Sequence, residues 1–186
     1  TSTGLIIDSD EIDEAINRIT TYQYDALKFA ADRITAFHLK QMPDNFEYLD
    51  ETEVKMGMRW SSVDSVGLYV PGGTASYPSS VLMNAIPAKV AGVPRRVIAV
   101  PQTCGSINPL VLAAAKLADV QEVYRVGGAQ AIAALAYGTE TISPVDKIVG
   151  PGNAFVAAAK KLVYGVVGID SICLLYTSDA ADEDLR

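Results

Sequence analysis

Apolar positions change their period along this chain. In the first forty residues they recur at three or four, as Ala26, Phe29, Ala30, Ile34 and Phe37 do. That spacing gives a helix one apolar face, and it predicts helices over Asp8 to Asn17 and Tyr22 to Gln41. Pro43, Asp44 and Asn45 end that region. Short strand-like pieces follow between 46 and 70, including "VKMGMRW" and "VGLYV".

From Val66 onward short apolar runs alternate with helical stretches. "VGLYV" is a strand ended by Pro71-Gly72-Gly73. Pro78 to Gly92 is a helix in which Pro87 implies a kink or an early stop. "RRVIAVP" is the next strand. Asn108 caps, and Pro109 opens, a helix to about Asp119. "EVYRV" is a strand, Ala129 to Tyr137 a helix with Gly138 as a left-handed stop, and "DKIVG" a strand. Asn153 caps a helix running through Leu162 to Val166. This rhythm predicts an α/β fold: a Rossmann-like, mostly parallel sheet with helices on both faces, preceded by a helical and short-strand region. Three segments are expected: residues 1–60, a partial Rossmann-like domain over 61–172, and a tail over 173–186.

Composition narrows the function classes. A net charge of −7 and a pI near 4.6 oppose a nucleic-acid partner, which needs a basic face. They oppose anionic membrane surfaces as well. The longest uncharged stretch, Val97 to Ala115, is broken by Pro101, Gly105, Asn108 and Pro109, and so reads as strand, loop and helix start, not a membrane span. Cys104 and Cys173 form no disulfide framework, and the early acidic cluster of Asp8, Asp10, Glu11, Asp13 and Glu14 is unlike a secretory leader, so a cytoplasmic location is expected.

Three strands end in glycine-rich turns: "YVPGG", "VGGAQ" and "VGPGN". In a parallel sheet these ends share one edge, where open α/β sheets hold their ligands. Helices start just beyond, with free N–H groups and a positive dipole end. Three such turns in register point to a ligand crevice. The fingerprint G-x-G-x-x-G is absent, as Phe155 stands where the third glycine would be, so a dinucleotide would bind by a variant scheme. Spacing alone makes Asn153 a helix cap, Gln130 a solvated first-turn residue and Tyr69 a core residue. His38 is the only histidine, which rules out a cluster of histidine metal ligands. Cys104 has no flanking base to activate it. Arg95-Arg96 and Asp146-Lys147 read as solvated turns, and Lys160-Lys161 as a favourable helix end.

The runs "VGLYVPGGTASYPSSVLMNAIPAKVAGV" and "VQEVYRVGGAQAIAALAYGTETISPVDKIVGPGNAFVAAAKKLV" closely resemble the histidinol dehydrogenase family. The similarity extends from roughly residue 10 to Ile172. The resemblance implies a homodimeric enzyme that requires NAD and zinc and oxidises L-histidinol through histidinal to L-histidine. It implies that the tyrosine of LY-x-PGG, the glutamine of GGAQA and the asparagine of GPGNA contact NAD. Those positions are Tyr69, Gln130 and Asn153, and the resemblance reverses the plainer reading of all three.

After "GIDSI" the family pattern stops. The zinc ligands, the Glu-His pair for acid–base work and the substrate contacts of the family have no counterpart here, so no catalytic or metal-ligating residue is assigned. The tail "CLLYTSDAADEDLR" resembles translated adapter read-through, or else a disordered acidic terminus. The expectation is therefore an amino-terminal fragment, inactive alone. Its alternatives are a fragment of a relative acting on another alcohol, such as a sulfonated diol, and a non-catalytic nucleotide-binding module.

Overall fold

A computed structural model describes residues 4–72, 77–102 and 106–171. Cys104, Gly73 and residues 173–186, including Cys173, lie outside the described residues.

Two helices open the chain. Helix α1 (Ser9–Asn17) is capped by Asp8, whose carboxylate accepts from the Glu11 N–H at 2.9 Å. Helix α2 (Thr21–Leu39) begins with a capping box between Thr20 and Gln23. Such caps satisfy first-turn donors that no helical carbonyl can reach. The apolar face of α2 differs from the expected stripe. Leu27, Ala30, Ala31 and Ile34 pack into the core, while Phe29 and Phe37 stay 64% and 60% exposed. The row i, i+3, i+4, i+7 starting at Leu27 fits helical geometry, whereas Phe29 falls on the opposite side of the helix and Phe37 at the edge of that row.

A hairpin follows, β1 (Phe46–Leu49) pairing antiparallel with β2 (Lys55–Met58). Asp50 builds its turn by accepting from the Thr52 and Val54 N–H groups at 2.8 and 2.9 Å. The hairpin is exposed along both strands.

The rest alternates strand and helix: β3 (Ser65–Tyr69), α3 (Pro78–Val90), β4 (Arg95–Ala99), α4 (Pro109–Leu117), β5 (Glu122–Tyr124), α5 (Gly128–Tyr137), β6 (Lys147–Val149), α6 (Ala154–Val163) and β7 (Gly168–Ile169). The five strands form one sheet in the order β5-β4-β3-β6-β7, every pair parallel. The α/β expectation holds. Helix α3 runs through Pro87 to Val90 without the early stop. Pro87 forfeits the one helical bond its own N–H would make, and the helix continues for a final turn beyond it. Gly138 ends α5 with φ +77° and ψ 167°, outside the left-handed helical region expected of it.

Successive strand residues enter opposite cores, as the pleat requires. Leu68, Ile98 and Val123 pack with α3 and α4, joined by residues of α1 and α2. Tyr69, Val97, Ala99, Tyr124 and Ile148 pack with α5 and α6. The free edge of β5 is covered by the amino-terminal segment: Ile7 N–H donates to Val123 O at 2.9 Å and Arg125 N–H to Leu5 O at 2.7 Å. An unpaired edge is thereby closed by an antiparallel bridge.

The amino ends of the strands are held by groups that the sequence pattern made solvated turns. Asp146 accepts from both the N–H and the hydroxyl of Ser65, at 2.7 and 2.8 Å, tying β6 to β3. Arg95 makes a two-point pair with Glu122 at 2.7 and 3.0 Å and donates to the carbonyls of Ser143 and Pro144. Arg96 is buried and donates to Val93 O and Asp119 O. These charges face carbonyls and carboxylates that the crossovers deliver, which a local window cannot show.

The Tyr124 hydroxyl donates to Glu122 at 2.7 Å. Burial, reinforced by Glu122, pushes this phenol up to about 12, while the Arg95 hydrogen bond holds Glu122 below its usual range. A phenol raised on folding stabilises below its unfolded value of 10.0, and that contribution is lost as pH rises towards about 12. Tyr124→Phe should lower the melting temperature at neutral pH. The gap to wild type should close between about pH 10 and 12, read by thermal melts across that range.

Candidate cofactor crevice at the switch point

The winding of the sheet reverses between β3 and β6. Strands β4 and β5 lie on one side of that boundary and β7 on the other. Chain leaving β3 enters α3 on one face, and chain leaving β6 enters α6 on the opposite face. The two exits diverge and leave a crevice at the carboxyl ends of the strands, the place where open α/β sheets bind ligands.

Tyr69 closes β3. It is 4% exposed, and its ring belongs to the α5/α6 core. Its hydroxyl accepts from the Gly128 N–H at 3.0 Å, reaching from the central strand to the first residue of α5. Gln130 stands two residues further on, exposed, and no described residue bonds its side chain. Helix α5 has no side-chain cap. Apart from the Gly128 N–H, its first-turn donors therefore remain open to a ligand.

Helix α6 is arranged differently. Asn153 is exposed, and its Oδ1 accepts from the N–H groups of Phe155 and Val156, both at 3.1 Å. The asparagine thus does act as the cap, and it uses up two of the donors that the helix end would otherwise present. Its Nδ2 donor has no partner among the described residues, nor do the N–H groups of Gly152 and Asn153.

The glycines of these turns have packing reasons of their own. A Cβ on Gly72 would lie 2.3 Å from Cγ of Pro101, and one on Gly127 would lie 2.4 Å from Cβ of the same ring. Pro101 follows β4, so three adjacent strand ends close around one proline. At Gly150 φ is +115°, and a Cβ would meet the Tyr69 carbonyl oxygen at 2.2 Å. The ends of β3 and β6 touch backbone to backbone there.

Two residues of this region escaped the sequence pattern. Lys160, on α6, is 2% exposed, and its Nζ donates to Asp170 at 2.6 Å and to the Gly150 carbonyl at 2.5 Å. The other oxygen of Asp170 accepts from the Gly150 N–H at 2.8 Å. The helix-end placement expected of Lys160 holds, since it lies in the last turn of α6, but its burial and its pairing with Asp170 were not anticipated. The signal was available: Lys160 falls on the apolar stripe formed by Val156, Ala159 and Val163. An ammonium there must be paired to be tolerated.

The comparisons with known proteins bear on this crevice directly. The histidinol dehydrogenase family model matches residues 1–173. The chain belongs to the histidinol dehydrogenase family. The histidinol dehydrogenase of Rhizobium meliloti (strain 1021) is 65% identical over 172 residues, which are 92% of this chain and 40% of that protein. The Rhodospirillum rubrum histidinol dehydrogenase is 61% identical over 184 residues, covering 97% of this chain and 42% of that protein. The crystal structure of histidinol dehydrogenase from Elizabethkingia anophelis superimposes with a TM-score of 0.87 at 37% identity, over 91% of this chain and 40% of that one. The chain thus spans about two fifths of the length of the histidinol dehydrogenases it matches.

Tyr69→Phe removes the only side-chain acceptor on the Gly128 N–H among the described residues. It should cost about 1 kcal/mol of stability, measured by denaturant unfolding. Gly150→Ala should do far more damage, because the added methyl meets a backbone oxygen that cannot turn away and the positive φ is kept. An alanine at Gly150 with wild-type stability would show that β3 and β6 are not in contact at their ends.

Proposed function

We propose that this chain is the amino-terminal, cofactor-holding part of a histidinol dehydrogenase, which oxidises L-histidinol through histidinal to L-histidine with NAD. The observation that carries the reading is a coincidence of place. The family match spans the whole described sheet, and the residues expected to contact NAD stand at or just beyond the carboxyl ends of three strands: Tyr69 ends β3, Gln130 lies in the first turn of the helix after β5, and Asn153 caps the helix after β6.

The groups present fit a dinucleotide. The open amino end of α5 offers N–H donors and a positive dipole end to a pyrophosphate. Gly152 N–H, Asn153 N–H and Asn153 Nδ2 offer neutral donors on the opposite side of the switch point, and Gln130 offers an amide beside α5. Tyr69 acts mainly through its hold on Gly128, which fixes where α5 begins. NAD, when bound, supplies the hydride acceptor. The contribution of this chain is to bind and orient that acceptor.

Zinc does not fit here. Among the described residues no three His, Cys, Asp or Glu side chains gather as a metal would need, and His38 is the single histidine of the chain. The zinc-dependent part of the family's chemistry is assigned to polypeptide beyond the matched two fifths. The complete enzyme is proposed to be a cytoplasmic homodimer; no helix among the described residues is long and apolar enough to cross a membrane.

Asn153 provides the test, because capping and cofactor contact can be separated. Asn153→Ala should lose the cap, costing about 0.5–2 kcal/mol of stability, and should weaken NAD up to roughly tenfold. Asn153→Ser keeps a capping oxygen but loses the Nδ2 donor. It should hold its melting temperature yet bind NAD as weakly as the alanine variant, measured by calorimetric titration. Normal binding by Asn153→Ser would make the residue a cap alone. Incubated with histidinol, NAD and zinc, the 186-residue chain by itself should form no NADH above a no-enzyme control.

A further inference from the structure

We infer that Lys160 and Asp170 are positioning residues for the cofactor, acting through the backbone of Gly150. The inference rests on the reading of the Gly150–Asn153 turn as part of the NAD site.

The geometry of the clamp is specific. Asp170 takes the Gly150 N–H at 2.8 Å, and Lys160 takes the Gly150 carbonyl at 2.5 Å. Those two groups belong to the peptide units on either side of the Gly150 Cα. Holding both fixes the φ and ψ of that residue, which sits at φ +115°. A third link at 2.6 Å joins Lys160 to Asp170 and closes the ring. Pro151 follows with φ locked by its own ring. The next two backbone donors, at Gly152 and Asn153, are those without a partner among the described residues. A clamp on Gly150 therefore sets the direction in which Gly152 N–H, Asn153 N–H and Asn153 Nδ2 point.

Folding alone does not call for this arrangement. Lys160 lies between Val156 and Val163 on the buried stripe of α6, where a methionine or leucine would pack without desolvating a charge. Well-packed apolar replacements of a buried ion pair are often neutral or stabilising, whereas removing one partner leaves an uncompensated charge. The pair also neutralises itself, so it adds no net charge to the crevice; its effect on a ligand is geometric. Asp170 directly follows β7, so the clamp fastens the turn after β6 to the backbone leaving the neighbouring edge strand.

The difference between holding a turn and supporting a fold is measurable in the 186-residue chain. NAD is titrated into ¹⁵N-labelled protein, the amides of Gly150, Gly152 and Asn153 are followed by NMR, and each variant is melted. Lys160→Met and Asp170→Asn should each lower stability and weaken NAD about fivefold or more. The double variant Lys160→Met/Asp170→Leu removes both charges. It should recover most of the lost melting temperature and still bind NAD about fivefold or more below wild type, with the Gly152 and Asn153 amides shifted before any ligand is added. A double variant that binds NAD as wild type does overturns the positioning role. So does a double variant that fails to fold while Asp170→Asn binds NAD normally, since the pair is then a support of the fold. Wild-type chain that shows no NAD-dependent shift in the turn rejects the cofactor reading of the turn itself.

Discussion

The structure depends on one strand pairing in parallel with two neighbours at once. β3 bonds to β4 on one side and β6 on the other, and every one of its residues is buried. A parallel pair cannot be closed by a tight turn, so each neighbour must be reached through a helix. Right-handed crossovers then send the first half of the chain to one face and the second half to the other. Gly67 lets this happen closely: a Cβ there would lie 3.0 Å from Leu135 and 3.1 Å from Val145, so α5 and its following loop press onto the bare backbone. The crevice at the carboxyl edge follows from that reversal.

The two ends of the sheet use polar groups in opposite ways. At the amino ends, Asp146 with Ser65, Arg95 with Glu122, and Arg96 with two carbonyls close nearly every bond internally. At the carboxyl ends, the first-turn N–H groups of α5 beyond Gly128, the Gly152 and Asn153 N–H groups, the Gln130 side chain and the Nδ2 of Asn153 have no partner among the described residues. Gln130 and Asn153 are exposed, so at this end the polar groups are open to solvent or to a ligand instead of being closed within the fold. The Lys160–Asp170 clamp belongs to the first kind of group but sits at the second end, which is why it reads as support for the open donors.

Much of the architecture was legible because its signals are local. Asn108-Pro109, Gly127-Gly128 and Asn153 announce helix starts within a few residues, and each helix begins where they stand. The alternation of short apolar strands with helical stretches pointed to the α/β class. What was not legible came from pairs far apart in sequence. Ser65 and Asp146 are separated by 81 positions, and Arg95 and Glu122 by 27. No window of sequence can tell a solvated arginine from one that ties two strands together. Tyr69, Gln130 and Asn153 were placed by family resemblance, since their own neighbourhoods favoured core, first turn and cap.

Glycine density is weaker evidence for a ligand than it first looks. Gly72 and Gly127 are required by Pro101, and Gly150 by the Tyr69 carbonyl, so each would be needed in an empty fold. The two roles are nonetheless connected. Only because side chains are missing at those strand ends can the backbones of β3, β4, β5 and β6 converge there. Convergence brings the start of α5 within reach of the Tyr69 hydroxyl and the Gly150 peptide within reach of Lys160 and Asp170. The glycines need not touch a cofactor to shape the proposed site. They let the strand ends crowd together, and that crowding fixes where the open donors stand.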